Sequence, residues 1–362
     1  MSRPERAAPI RVLLVEDTPA MRELLTYVVN SDPALQVIAV AEDGEQAVLM
    51  AERLHPDVIL MDIHLPGMNG FTATRKIMEI CPTRIVMVTA TSIPGEVEAT
   101  FQAMESGALT VLGKPAGIGH PEHRRLADEL VRTLKLMSEV KVVKRWARVQ
   151  SPPRSQGAAQ QAAVEPRASI RAIGIGASTG GPLAVREVLS GLAQPLAAPI
   201  LIVQHISSGF TEGFVDWLGK ASGYAVRLAA HGEKAQGGVA YVAPDGWHLT
   251  MTADCRLILR QGPLEHGMRP SVSVLFRALA ENFGADAIGI LLTGMGADGA
   301  EELGNMRRAG ATTIAQDRES SVVHGMPGEA LRLNAATHVL PPERIGPVVA
   351  QLVLRARSID DA

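Results

Sequence analysis

The sequence predicts an α/β protein of two successive domains, each built on a mainly parallel sheet. Three observations carry that prediction. At 362 residues, with 46% hydrophobic and 20% charged residues, the chain has the composition and length for two globular cores. From Ile10 onward, short runs that are apolar throughout alternate with segments of helical spacing, the pattern of strands buried on both faces of a sheet. Between Gln150 and Pro166 lies a stretch rich in Pro, Ser, Gln and Ala with no apolar periodicity, which reads as a flexible linker.

In the first block, Val12–Val15, Val37–Val40, Val58–Met61, Ile85–Val88 and Leu109–Leu112 read as five buried strands. Helical spacing fits segments near Ala20–Asn30, Gly44–Leu54, Gly70–Ile80 and Gly95–Ser106. The expectation is a doubly wound, five-stranded parallel sheet. Polar residues collect where its strands end: Glu16 and Asp17, then Asp62, Thr89 and Lys114. The carboxyl ends of an open parallel sheet line its ligand crevice. Crowded carboxylates repel each other, and a bridging Mg²⁺ offsets that. Asp62 could then attack a phosphoryl donor, with Mg²⁺ and Lys114 neutralising the equatorial oxygens and Thr89 donating a hydrogen bond. Any one strand-end aspartate is more simply a helix N-cap; the joint set favours chemistry.

Residues 10–137 resemble a response-regulator receiver domain. The resemblance rests on Glu16-Asp17, Met61-Asp62-Ile-His-Leu-Pro66-Gly-Met-Asn-Gly70, Thr89-Ala90 and Lys114-Pro115. It implies that Asp62 is the phosphoacceptor and that Thr89 and Lys114 support the phosphoryl group. It also implies that Glu16, Asp17, Asp62 and the backbone carbonyl of His64 hold Mg²⁺. Val111 stands where many receivers carry an aromatic switch residue, so an aromatic-switch mechanism is not implied.

From Pro121 to about Val149 the spacing predicts one long helix. Its apolar stripe is Leu126, Leu130, Leu134, Met137 and Val140, opposed by Arg124, Arg125, Glu129, Arg132 and Lys135. That length suits either a helix capping its own domain or a dimer seam. Residues 138–168 are read as helix end and linker.

The second block, 169–357, opens on Ile170-Arg-Ala-Ile-Gly-Ile-Gly-Ala-Ser178-Thr-Gly-Gly-Pro182, a strand that turns through glycines into a helix. Such a turn either lifts a serine hydroxyl out of the sheet edge or cradles a phosphate. Here Thr179 occupies the place of the third glycine in the dinucleotide fingerprint. Two later strand-like runs end similarly: Pro199-Ile-Leu-Ile-Val-Gln-His205, and Ala287-Ile-Gly-Ile-Leu-Leu-Thr-Gly-Met-Gly-Ala-Asp298. Weaker strands are read at Val226–Ala229, Val239–Ala243, Leu257–Leu259, Thr312–Gln316 and Thr337–Leu340.

If the three main strands are neighbours, Ser178, His205 and Asp298 share one sheet edge. A serine hydroxyl needs an imidazole base, and the imidazole needs an acceptor that fixes its tautomer and stabilises its positive charge. Backbone N–H groups of Gly294-Met295-Gly296 suit an oxyanion. Asp298 taken alone reads better as a cap for the helix that follows Gly299. His55, His120, His123 and His338 read as structural, and His231, His248, His266 and His324 lie in loops as rim residues. The order Ser–His–Asp argues against an α/β-hydrolase, where the acid precedes the histidine.

Residues 169–357 resemble the catalytic domain of the chemotaxis protein-glutamate methylesterases. The matching motifs are Gly174-Ile-Gly-Ala-Ser178-Thr-Gly-Gly181, Gln204-His205-Ile, Ala243-Pro244, Arg269-Pro270-Ser271-Val272, Leu291-Leu-Thr-Gly-Met-Gly-Ala-Asp298-Gly-Ala300, Ala315-Gln-Asp317 and Val322-Val-His-Gly-Met-Pro327. The resemblance implies a Ser178–His205–Asp298 triad, with Thr179 helping to hold His205 and the Met295 N–H as oxyanion donor. It implies a serine esterase that demethylates receptor glutamates and deamidates receptor glutamines, without a cofactor for that chemistry. The implied partners are methylated chemoreceptor cytoplasmic domains and a chemotaxis-type histidine kinase. The unphosphorylated receiver is expected to cover the catalytic edge, and phosphate on Asp62 to release it. Two departures stand out. Ser273 replaces a common aspartate, which bears on the substrate surface. Asn334 replaces a frequent glycine but tolerates positive φ.

The rival reading is a non-enzymatic response regulator whose second domain only binds a partner. A DNA-binding output lacks a basic helix-turn-helix pattern. A net charge of −3 points to no nucleic acid or acidic membrane as partner. Only Cys81 and Cys255 are present, which suits a reducing interior. No apolar run reaches membrane-spanning length, and Met-Ser-Arg-Pro-Glu-Arg opens charged, so neither membrane insertion nor a signal peptide is expected. The expected location is the cytoplasm.

Overall fold

The computed structural model describes residues 8–89, 101, 104–140, 170–192 and 196–360. They form two compact units, one on each side of Arg148 and Val149. Most of the expected helix near 95–106, and nearly all of the 138–168 linker, lie outside the described residues.

The first unit is a five-stranded parallel sheet, made of β1 (Ile10–Val15), β2 (Leu35–Ala41), β3 (Val58–Asp62), β4 (Arg84–Thr89) and β5 (Thr110–Gly113). The strand order is β2-β1-β3-β4-β5. Helices Pro19–Asn30, Gly44–Leu54, Gly70–Ile80 and His123–Glu139 accompany it. Val12–Val15 of β1 and Val58–Met61 of β3 are apolar throughout and fully buried, as strands covered on both faces require. The last helix is shorter than the apolar stripe suggested. It buries Leu130, Leu134 and Met137 and stops at Glu139. Val140 is extended, and its carbonyl accepts a hydrogen bond from Arg84 Nε at 2.7 Å. The remainder of the helix expected to about Val149 lies outside the described residues.

The second unit carries seven strands: β6 (Ala172–Ala177), β7 (Ile200–Gln204), β8 (Ala225–Leu228), β9 (Val239–Val242), β12 (Ala287–Leu291), β13 (Thr312–Gln316) and β14 (His338–Leu340). They pair in the order β14-β13-β12-β6-β7-β9-β8, all parallel. A separate antiparallel ribbon joins β10 (His248–Met251) to β11 (Leu257–Arg260). β10 corrects the loop reading of His248: the residue opens a buried strand. β6 is central, with β7 on one flank and β12 on the other, so the chain reverses its direction of travel across the sheet at β6. Ligand crevices of open α/β sheets form at such switch points.

Two glycines inside β6 set the packing there. A Cβ on Gly174 would lie 2.6 Å from Leu279 Cδ1, and one on Gly176 2.3 Å from Val272 Cγ1. Helix Val272–Phe283 can therefore lie close against the strand. Gly299, at φ 83°, leaves a second notch for Val272, and an added Cβ would meet its Cγ1 at 2.4 Å. Val272 seats the helix N-terminus between these two glycines. Asn334 takes φ 52°, the left-handed conformation that asparagine accepts more readily than most residues. Among the described residues, no helix is long and apolar enough to cross a membrane.

Candidate functional site

Each unit carries polar groups at the carboxyl edge of its sheet. In the first unit, Lys114 Nζ lies 2.7 Å from Asp62 Oδ2 and 2.8 Å from Glu16 Oε2. Both acids are buried, whereas Asp17 is exposed. Carboxylate oxygens of Glu16, Asp17 and Asp62 fall within 4.8 Å of one another. Buried Thr89 ends β4, and its carbonyl accepts the Lys114 N–H at 2.9 Å. The backbone N–H of His64 donates to Asp62 Oδ1 at 3.3 Å. Gly70 must be glycine, since a Cβ there would sit 2.1 Å from the Asp62 carbonyl oxygen.

Burial pushes the carboxyls of Glu16 and Asp62 above their ordinary range, against the pull of Lys114. Burial draws Lys114 downward, but its hydrogen bonds to Asp62 and Glu16 prevail and hold it above its ordinary value. One lysine thus serves two buried acids. An all-oxygen donor set with this surplus of negative charge fits a hard divalent cation. Lys114→Met should leave the two carboxylates uncompensated and destabilise this unit by about 3 kcal/mol. Urea denaturation of the intact chain in chelator measures the loss; an unchanged midpoint would contradict it.

In the second unit, Ser178 follows β6, His205 follows β7, and Asp298 lies on the segment between β12 and helix Ala300–Arg308. β6 pairs with both β7 and β12, so the fold brings all three to one edge. Ser178 is held at two points: its N–H donates to Thr293 O at 3.0 Å, and its carbonyl accepts the Gly181 N–H at 2.8 Å. Gly294 backs directly onto it, since a Cβ on Gly294 would lie 2.7 Å from Ser178 Cβ. The buried Thr293 hydroxyl donates to Thr179 O at 2.9 Å and accepts the Val323 N–H at 3.0 Å. It stitches the serine turn to the loop before helix Met326–Arg332.

His205 Nε2 lies 3.0 Å from Asp298 Oδ2, close but not aligned into a hydrogen bond, and Nδ1 has no hydrogen-bond partner among the described residues. The Thr179 hydroxyl therefore bonds neither ring nitrogen; what Thr179 contributes is its carbonyl, to Thr293. The Gly294 N–H is committed to Val323 O at 3.0 Å, which removes it as an oxyanion donor and narrows that candidate set toward Met295.

Asp298 does not cap the helix that follows it, whose N-cap is Gly299. Its carboxylate instead sits at the start of helix Val272–Phe283, accepting Ser271 Oγ–H at 2.8 Å and the N–H groups of Val272 at 2.7 Å and Ser273 at 3.0 Å. Burial alone would raise this carboxyl. The His205 ring beside it, with the bonds from Ser273, overrides burial and holds it well below the usual carboxylate range.

Ser273 is fully buried behind that acid, and its hydroxyl accepts the Gly299 N–H at 2.9 Å. It has no place on a substrate surface, which corrects the expectation drawn from the sequence. In the sequence Ser271 is singled out only within the Arg269-Pro270-Ser271-Val272 motif. Its hydroxyl is diverted from capping to Asp298, and its N–H donates to His248 Nδ1 at 3.2 Å.

The response regulator receiver domain family model matches residues 12–122, and the CheB methylesterase family model matches residues 173–349. A protein-glutamate methylesterase/protein-glutamine glutaminase of Geobacter metallireducens is 49% identical over 346 residues, covering 95% of this chain and 99% of the relative. One from Nitrosospira multiformis is 50% identical over 344 residues, covering 95% and 97%. The crystal structure of the Thermotoga maritima CheB methylesterase catalytic domain matches with 34% identity and a TM-score of 0.49, covering 51% of this chain and 100% of that one. With half of its residues identical over nearly the full length of such relatives, the chain belongs to the protein-glutamate methylesterase/protein-glutamine glutaminase family, a receiver domain followed by a CheB methylesterase domain.

Proposed function

We propose that the protein is a phosphorylation-activated serine hydrolase that demethylates glutamate methyl esters on chemoreceptors and deamidates receptor glutamines. The receiver spans residues 10–137, the helix end and linker 138–168, and the catalytic domain 169–357. The observation that carries the reading is His205 lying 3.0 Å from an ionised, multiply hydrogen-bonded Asp298 on the edge that also bears Ser178.

His205 presents Nε2 to Asp298, which leaves Nδ1 to take the Ser178 proton. Ser178 Oγ then attacks the γ-carbonyl carbon of the methylated glutamate, with the Met295 N–H facing the oxyanion. The proton on His205 passes to the departing methoxide, giving methanol and an acyl-Ser178. Water attacks the acyl group, loses a proton to His205, and the glutamate carboxyl leaves as that proton returns to Ser178 Oγ. With a glutamine side chain the same steps release ammonia. Asp298 stays ionised throughout and stabilises the imidazolium.

In the receiver, Asp62 accepts a phosphoryl group from a chemotaxis-type histidine kinase, with Thr89 and Lys114 facing its oxygens. Glu16, Asp17, Asp62 and the His64 carbonyl would hold Mg²⁺, which supplies positive charge against those oxygens when bound. The enzyme acts in the cytoplasm on receptor cytoplasmic domains. Phosphorylation shifts a population in which the receiver restrains the catalytic edge. Acetyl phosphate should raise methanol release by the intact chain about 5- to 150-fold, and Asp62→Asn should remove that response. A fragment starting near Ala168 should match the phosphorylated rate. Equal rates for fragment and unphosphorylated chain would remove the restraint from the account.

A further inference from the structure

Gln204 closes β7 directly before His205, is almost fully buried, and has no part in the chemistry above. Its Nε2 donates to two carbonyl oxygens, those of Ser178 and His205, each at 2.8 Å. The orientation of the amide follows from its partners. Both are acceptors, and the reverse orientation would press Oε1 against two carbonyl oxygens. Oε1 is left buried without a hydrogen-bond partner among the described residues. It faces Gly181, where an added Cβ would lie 2.2 Å away.

A buried amide oxygen with no partner carries a cost, and hydrogen bonding within the sheet does not require it. β6 and β7 are already joined beside it, with Ala177 opposite Gln204 and the His205 N–H on Ala177 O at 2.9 Å. What the amide adds is a rigid link between the main chains of the two residues that must exchange a proton. Gly181 leaves the space for that link, and its own N–H occupies the other side of the same Ser178 carbonyl.

We propose that Gln204 is a positioning residue that sets the distance between Ser178 and His205 by binding both carbonyls with one NH₂ group. The inference rests on the esterase reading for its catalytic meaning, but the link itself can be tested without turnover. Gln204→Met keeps the length and removes both donors. Gln204→Glu keeps the shape and places carboxylate oxygens against the two carbonyls.

Turnover of p-nitrophenyl acetate by the full-length chain should show kcat reduced about 10- to 100-fold in Gln204→Met, the scale of a ~1 Å misplacement, with KM changed less than about twofold. Gln204→Glu should be slower still near neutral pH. The second readout is the NMR shift of the His205 ring, compared with and without Ser178→Ala. The serine substitution should move that signal in the parent chain and leave it unmoved in the Gln204→Met background. A Gln204→Met chain with parental kcat, or with the Ser178–His205 response intact, would overturn the proposal. If Ser178→Ala itself retained full turnover, the esterase reading would fall, and the NMR comparison would still decide the role of Gln204.

Discussion

Ser178→Ala is expected to lower kcat for hydrolysis of a receptor methyl ester by about 10⁴- to 10⁶-fold, the range for loss of a triad nucleophile. The fold invests heavily in that one side chain. β6 delivers it, Gly294 yields the space behind it, and the Thr293 hydroxyl ties its turn to the neighbouring loop. Removing only Oγ leaves these contacts in place, so the variant should fold and melt like the parent. Methanol release measures the first effect and circular dichroism the second. Residual turnover within tenfold of the parent would place the nucleophile elsewhere.

Asp298→Asn should cost about 10⁴-fold in kcat, although the substitution is nearly isosteric. The carboxylate faces donors on every side: Ser271 Oγ–H, two backbone N–H groups and the His205 ring. An asparagine must turn its NH₂ toward one of them. It either breaks the seat at helix Val272–Phe283 or sets His205 in the wrong tautomer. The same environment fixes a pH expectation. Because the folded carboxyl is depressed, its stabilisation is fully present above the unfolded value. It is lost only as pH falls through the lower folded value, below about pH 4. An acid limb in kcat/KM at higher pH therefore belongs to a group other than Asp298.

The doubly wound sheets were legible because their strands are apolar on both faces and end in polar residues. β3, β6 and β12 are buried throughout, and β1 from Val12 to Val15. The edge positions of Ser178 and His205 followed from the same reading. What escaped it depends on contacts between distant segments. Asp298 caps a helix that begins 26 residues earlier in the chain, at Val272. Gly174 and Gly176 carry no local signal for a close helix approach, because inside a strand they read only as weak β-formers. His248 lay in a segment too short and too polar to announce the β10–β11 ribbon, yet it meets Ser271 through a backbone hydrogen bond. Ser273 was judged by what relatives carry, whereas its burial assigns it to the back of the acid. The Arg84–Val140 contact at the end of helix His123–Glu139 is likewise invisible to periodicity, and the rest of the helix expected to about Val149 lies outside the described residues.

The central claim is that Ser178 is the nucleophile for methyl ester hydrolysis. Reaction of the intact protein with a serine-directed fluorophosphonate, followed by peptide mass spectrometry and methanol release from methylated receptor, tests it most directly. The account predicts modification at Ser178, with methanol release falling in proportion to the fraction modified. Label on another residue, or full methanol release from a chain completely modified at Ser178, would contradict it.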